Sequence, residues 1–118
     1  MQEHRGIHKN CVISNIRWDI SHMEKVAFDV TDDEGKTDTI RIRNHDAIDR
    51  LRNLRDGKCS AAYFDFGMTD IDIDKDLKGN YMIMNSPVDG VYDYYEVSDE
   101  EFQKLIAWKL NLNIWGGS

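Results

Sequence analysis

Asp65-Phe-Gly-Met-Thr-Asp-Ile-Asp-Ile-Asp-Lys-Asp76 puts five aspartates into twelve residues. A calcium loop and a β-strand make different demands on such a stretch. An EF-hand loop needs glycine at its sixth position for a sharp turn and a bidentate glutamate at its twelfth. Counted from Asp70, those positions hold Lys75 and Tyr81; counted from Asp72, they hold Leu77 and Ile83. The turn and the decisive ligand are both missing, so no metal site is expected here. A strand fits better. Residues two apart share a face, so Asp70, Asp72 and Asp74 line one side, about 6.6 Å apart. Ile71 and Ile73 anchor the other side to a core. Such a row serves either as an edge strand charged against sheet-to-sheet aggregation or as a surface for a cationic partner.

The neighbouring segments extend this strand into a sheet. Residues 59–66, 80–86 and 91–97 read as further strands, set apart by Gly67, "LKGN" and "SPVDG". Upstream, residues 11–20, 24–33 and 37–43 read as an antiparallel meander. A turn at Ser21-His22-Met23 and the glycine turn "DDEGK" (32–36) connect them. Val26, Phe28 and Val30 alternate with polar residues, the period of a half-buried strand.

Two helices complete the reading. Residues 44–58 carry an apolar stripe of Ala47, Ile48, Leu51 and Leu54, with Asn44 as a candidate N-cap and Gly57 suited to the C′ position. Ser98-Asp-Glu-Glu101 fits a capping box, in which Ser98 accepts from the third amide and Glu101 reaches back to the Ser98 amide. Phe102, Leu105, Ile106 and Leu110 then form one helical face. The expected fold is α+β: one twisted antiparallel sheet of six to seven strands with two helices, in a single domain over residues 1–118. Residues 1–10 are polar and are expected as a loose lead-in.

Composition narrows the function. The chain has 118 residues, 41% hydrophobic and 31% charged, as a globular domain does. It shows no secretory h-region and no apolar run near the ~18 residues of a membrane span. Cys11 and Cys59 without a dense spacing pattern read as buried free thiols of a cytoplasmic protein. The net charge of −7 is unevenly placed: residues 61–101 hold 11 acidic side chains against 2 basic, while residues 1–60 balance at 11 each. That field repels nucleic acid and anionic membranes and attracts a basic protein.

Residues 91–101, "VYDYYEVSDEE", add tyrosines to the charge. Tyr92, Tyr94 and Glu96 share one strand face, and Val91, Asp93, Tyr95 and Val97 the other. Tyrosines beside carboxylates suit a surface rich in Lys and Arg, through stiff contact area, ion pairs and cation–π contacts. They are equally good half-buried strand formers.

Catalytic patterns are weak throughout. Asp29 with Glu34-Gly-Lys36 has the order of a nuclease metal site, but the Glu and Lys fall at a hairpin tip and the chain's charge opposes its substrate. His4, His8 and Cys11 could clamp a metal only from a loose terminus. His22 and His45 belong to no HExxH, and "DFG" at 65–67 lacks every other kinase motif. No cofactor is expected, and no catalytic residue is assigned. A small enzyme or ligand-binding domain would instead gather distant groups such as His45, Cys59 and Asp65 in a pocket. The arginines at 41, 43, 50, 52 and 55 could bind an anion, but internal pairing such as Asp46 with Arg50 is the simpler reading.

"VYDYYEVSDEEFQKLIAWKL" (91–110) resembles the closing strand–helix segment of small acidic immunity proteins from bacterial toxin systems. The resemblance implies a non-catalytic chain that blocks a cationic toxin or nuclease domain. On that expectation Asp70, Asp72, Asp74, Asp93 and Glu96 attract the partner, while Tyr92 and Tyr94 make the tight contact. A phage or bacterial accessory subunit would share this chemistry without inhibiting.

Overall fold

The computed structural model describes residues 4–18, 26–44, 46–66, 69–87 and 90–116. Within them the chain runs β1 (His4–His8), β2 (Val12–Trp18), β3 (Val26–Thr31), β4 (Thr37–Ile42) and α1 (Ala47–Arg55). It continues through β5 (Ala61–Phe66), β6 (Thr69–Lys75), β7 (Tyr81–Ser86), β8 (Val91–Val97) and α2 (Asp99–Gly116). The fold is α+β. The described residues form eight strands in two sheets, not one sheet of six or seven. The expected meander is its own antiparallel sheet, β2–β3–β4. The second has the order β1–β8–β7–β6–β5, antiparallel except where β1 lies parallel to β8.

Against the expectation of a loose lead-in over residues 1–10, His4–His8 within them form strand β1. Its sequence, His-Arg-Gly-Ile-His, is polar and short, and a strand this short gains its order from a partner. That partner is β8, near the opposite end of the chain, with His4 in register with Val91 and His8 with Tyr95. The turn expected at residues 21–23 lies outside the described residues.

Both sheets and both helices contribute to one core. Ile13, Phe28, Ile40 and Ile42 come from the three-stranded sheet, and Ile73, Ile83 and Tyr95 from the other. Leu51, Leu54, Phe102 and Leu105 arrive from the helices, and the rings of Tyr81 and Phe102 stack 3.8 Å apart. Among the described residues no helix is long and apolar enough to cross a membrane.

The helix termini show where local patterns held. The stripe Ala47, Ile48, Leu51 and Leu54 is buried. α1 ends in a Schellman motif: Gly57 takes φ 78°, its N–H donates to Leu54 O, and Lys58 N–H donates to Asn53 O at 2.9 Å. The start differs, because Asp46 and not Asn44 occupies the cap position, and its side chain does not bond a helix amide. Asn44 instead accepts from Ala47 N–H through its backbone carbonyl.

Ser98 caps α2 as expected, accepting from Glu101 N–H at 3.2 Å. Glu101 does not reach back to Ser98. Its carboxylate accepts from Ile13 N–H at 2.9 Å and from Lys104 at 2.7 Å, while Lys104 also donates to Ile13 O. β2 is an edge strand, and these two side chains occupy its exposed amide and carbonyl. Burial opposes ionisation of Glu101, but Lys104 and the Ile13 amide outweigh it and hold the carboxyl low.

Removing the tertiary acceptor strands a backbone donor on this edge, whereas removing the local cap exposes one helix amide to water. Glu101→Ala should therefore lower unfolding free energy by about 2 kcal/mol and Ser98→Ala by about 1 kcal/mol. Urea melts of the two variants check the order.

Candidate docking surface

In β6 the core decides which side chains reach solvent. Ile71 is 4% exposed and Ile73 fully buried, so Asp70, Asp72 and Asp74 turn outward together. The strand is not an edge: β5 and β7 flank it. Its charge row therefore cannot serve to blunt a sheet edge.

The registers extend this outward face across five strands. Asp72 lies opposite Tyr63 on one side and Met84 on the other, Met84 opposite Tyr94, and Tyr94 opposite Ile7. A second row joins Asp74, Met82 and Glu96; a third joins Asp65 and Asp70 and ends at Ser86, which is buried. Tyr92 shares the face with Tyr94. Ile7 is 64% exposed and Tyr63 50% exposed, and Met82, Met84, Tyr92 and Tyr94 are half-buried. Arg5 of β1 is in register with Tyr92 at the margin of this face; among the side chains described on β5 to β8, none on it is basic. Lys75 falls on the opposite face, where its ammonium donates to Arg55 O at 3.0 Å and lies over the Tyr81 ring.

Electrostatics separates the carboxylates. Asp70 accepts from the Tyr63 hydroxyl at 2.9 Å, which, with burial, pushes that hydroxyl up to about 12. Asp72 accepts no hydrogen bond from a described residue; burial and then the Asp74 charge raise its carboxyl above the ordinary range. Asp65, Asp74 and Glu96 likewise make no ion pair within the described residues. Asp76 is different, since it holds the β6–β7 turn by accepting from Lys78 N–H and Asn80 N–H at 2.9 Å each.

The face thus gathers Asp70, Asp72, Asp74, Glu96, Tyr92 and Tyr94 of the expected set. Asp93 departs from it. It lies on the inner face, where its carboxylate meets His8 Nε2 at 3.3 Å. His8 Nδ1 meets Asp32 at 2.8 Å, and the imidazole stacks on Tyr95 at 4.7 Å. Tyr95 in turn donates its hydroxyl to Asp38; burial, and then this bond, hold the phenol well above its usual range. His8 thereby ties β1 to the β3–β4 hairpin and to β8. Gly6 makes room: a Cβ there would sit 2.8 Å from Asp93 Oδ1 and 3.0 Å from His8 Nε2. No sequence signal announces this cluster, because the partners of His8 lie 24 and 85 residues away.

The remaining candidates stay apart. Cys11 is buried, its thiol raised to about 11 by burial and the Asp32 charge, whereas Cys59 is exposed, against the expectation of two buried thiols. Asp65 is also exposed, and His45 lies outside the described residues. Glu34 and Lys36 sit in the β3–β4 turn, where their amides donate to Asp32. On α1, Arg50 pairs with Asp46 at 3.0 Å, Arg52 with Asp49 at 3.8 Å and Arg55 with Asp56 at 2.9 Å. Arg41 and Arg43 line a small cavity with Thr39, Ile71, Asn85 and Pro87. Among the described residues no three His, Cys, Asp or Glu side chains are placed to hold a metal. No protein-family model matches the chain, and neither the curated proteins nor the solved structures include a significant match.

Gly6→Ala should lower the melting temperature by several degrees, since the added methyl meets the Asp93 and His8 side chains, and His8→Ala should do the same by leaving two carboxylates facing each other; thermal melts check both. Burial alone would raise the Asp32 carboxyl, but Lys36 N–H, His8 and Glu34 N–H outweigh it and hold it below the usual range. A depressed folded-state value means that stability is present above the ordinary ~3.9 and is lost as pH falls through the lower folded value. Urea midpoints followed from neutral pH into acid should fall more shallowly for Asp32→Asn than for wild type.

Proposed function

We propose that this chain is a non-catalytic cytoplasmic binding protein that docks its acidic, tyrosine-bearing sheet face onto a basic protein. The reading extends to inhibition: the partner is a cationic toxin or nuclease domain, and the carboxylates stand in for the phosphates of its substrate. One observation carries this. A five-stranded sheet carries a face on which carboxylates without ion pairs among the described residues lie side by side with half-buried tyrosines and methionines. Tyrosine and methionine are over-represented in protein interfaces, and complementary charge speeds encounter and rejects wrong partners. Asp70, Asp72, Asp74 and Glu96 supply the attraction, while Tyr92, Tyr94 and Tyr63 supply contact area.

The face suits macromolecular contact better than small-molecule catalysis, because its groups are spread over cross-strand rows and do not converge in a cleft. Blocking by this route is stoichiometric and sensitive to salt.

The test is capture from source-cell lysate at low salt, with wild type and with Asp70→Asn/Asp72→Asn/Asp74→Asn. A partner with excess Lys and Arg should be retained by wild type and at least about tenfold less by the variant, a difference of about 1.4 kcal/mol. The partner's activity should titrate to zero at one equivalent. Equal capture by both forms would sink the charge-led mechanism, and capture without loss of activity would assign the chain an accessory role.

A further inference from the structure

We infer that the partner's anchoring side chain is an arginine seated on Asp72 between Tyr63 and Met84. This rests on the docking reading above and names the chemistry that the face accepts.

Asp72 occupies the middle of its strand, with Tyr63 and Met84 directly opposite it on the flanking strands. Directly paired side chains stand about 4.5–5.5 Å apart, so the carboxylate lies between an aromatic ring and a thioether. Asp70 and Asp74 follow on the same face at about 6.6 Å spacing. Asp70 already holds the Tyr63 hydroxyl. Asp72 is half-buried without a hydrogen-bond donor from the described residues, so an incoming donor meets a carboxylate that has already lost part of its water.

The flanking groups favour guanidinium over ammonium. Arginine is planar and weakly hydrated; it stacks on tyrosine and presents a fork of donors that can grip a carboxylate with both arms. Lysine is a compact, strongly hydrated point charge that loses more water on reaching the same place. The arginine that reaches edge strand β5 is otherwise engaged. Arg50 of α1 donates to Tyr63 O at 2.7 Å, pairs with Asp46 and lies 5.3 Å from the Phe64 ring centre. This also occupies one carbonyl on edge strand β5. A second copy of this chain would bring the same acidic face and repel it.

The test uses the full chain with 13C-methyl-labelled methionine, titrated at low salt with two capped short peptides that differ only in arginine or lysine. The Met84 methyl should shift with both peptides, and the arginine peptide should bind about fivefold more tightly. That preference should vanish in Asp72→Asn, shrink in Tyr63→Ala and persist in Asp49→Asn on α1. Unchanged thermal melts of Asp72→Asn show that loss of preference is local. Equal affinity for both peptides, with Met84 still shifting, overturns the arginine inference and leaves charge-led docking standing. No shift of Met82 or Met84 with either peptide overturns both. Self-association at low salt that Asp72→Asn abolishes gives the face to a second copy and overturns the inference as well.

Discussion

The inward anchoring of Ile71 and Ile73 governs this molecule, because a strand of period two has no freedom to send an isoleucine one way without sending its neighbours the other. With both isoleucines in the core, Asp70, Asp72 and Asp74 stand on one open face. The registers then carry that face across β7 and β8 to Tyr94 and across β5 to Tyr63. A slip of one residue would bury three carboxylates and expose both isoleucines, so the arrangement is held by a large free-energy difference. The acidic outer face is in this sense a by-product of the core.

Such a face works against stability. Asp65 and Asp70 are in direct register, and like charges opposite one another are unfavourable. The Tyr63 hydroxyl relieves Asp70, while Asp72 receives nothing comparable. Elsewhere the chain neutralises its charges economically: Asp29 takes bonds from Asn15, Thr39 and Arg17, and Asp76 and Asp32 close hairpin turns. Carboxylates used structurally are thus bonded, and those on the outer face largely are not. This contrast is what sets the β6 row apart from ordinary surface acidity.

A second constraint joins the ends of the chain. His8, between Asp32 and Asp93 and against Tyr95, holds β1 to a hairpin from one sheet and a strand from the other. It keeps β1 in the sheet, which in turn places Ile7 beside Tyr94 on the outer face. Glu101 and Lys104 act similarly at β2, tying the final helix to an early strand.

Local chemistry alone determined a good deal: the α+β class, the alternation of β6, the apolar stripe of α1, its glycine C-cap and the Ser98 cap of α2. Each rests on interactions within a few residues, which the order of amino acids encodes directly. The faces of Tyr92, Tyr94 and Glu96 followed from the same alternation. Only the tertiary structure decided that the strands divide into two sheets, that His4–His8 becomes a strand, and that β6 lies inside its sheet. It also turned Asp93 onto His8 and diverted Glu101 from Ser98 to Ile13. These outcomes depend on contacts between residues tens of positions apart, where a better-placed distant partner outcompetes the local one.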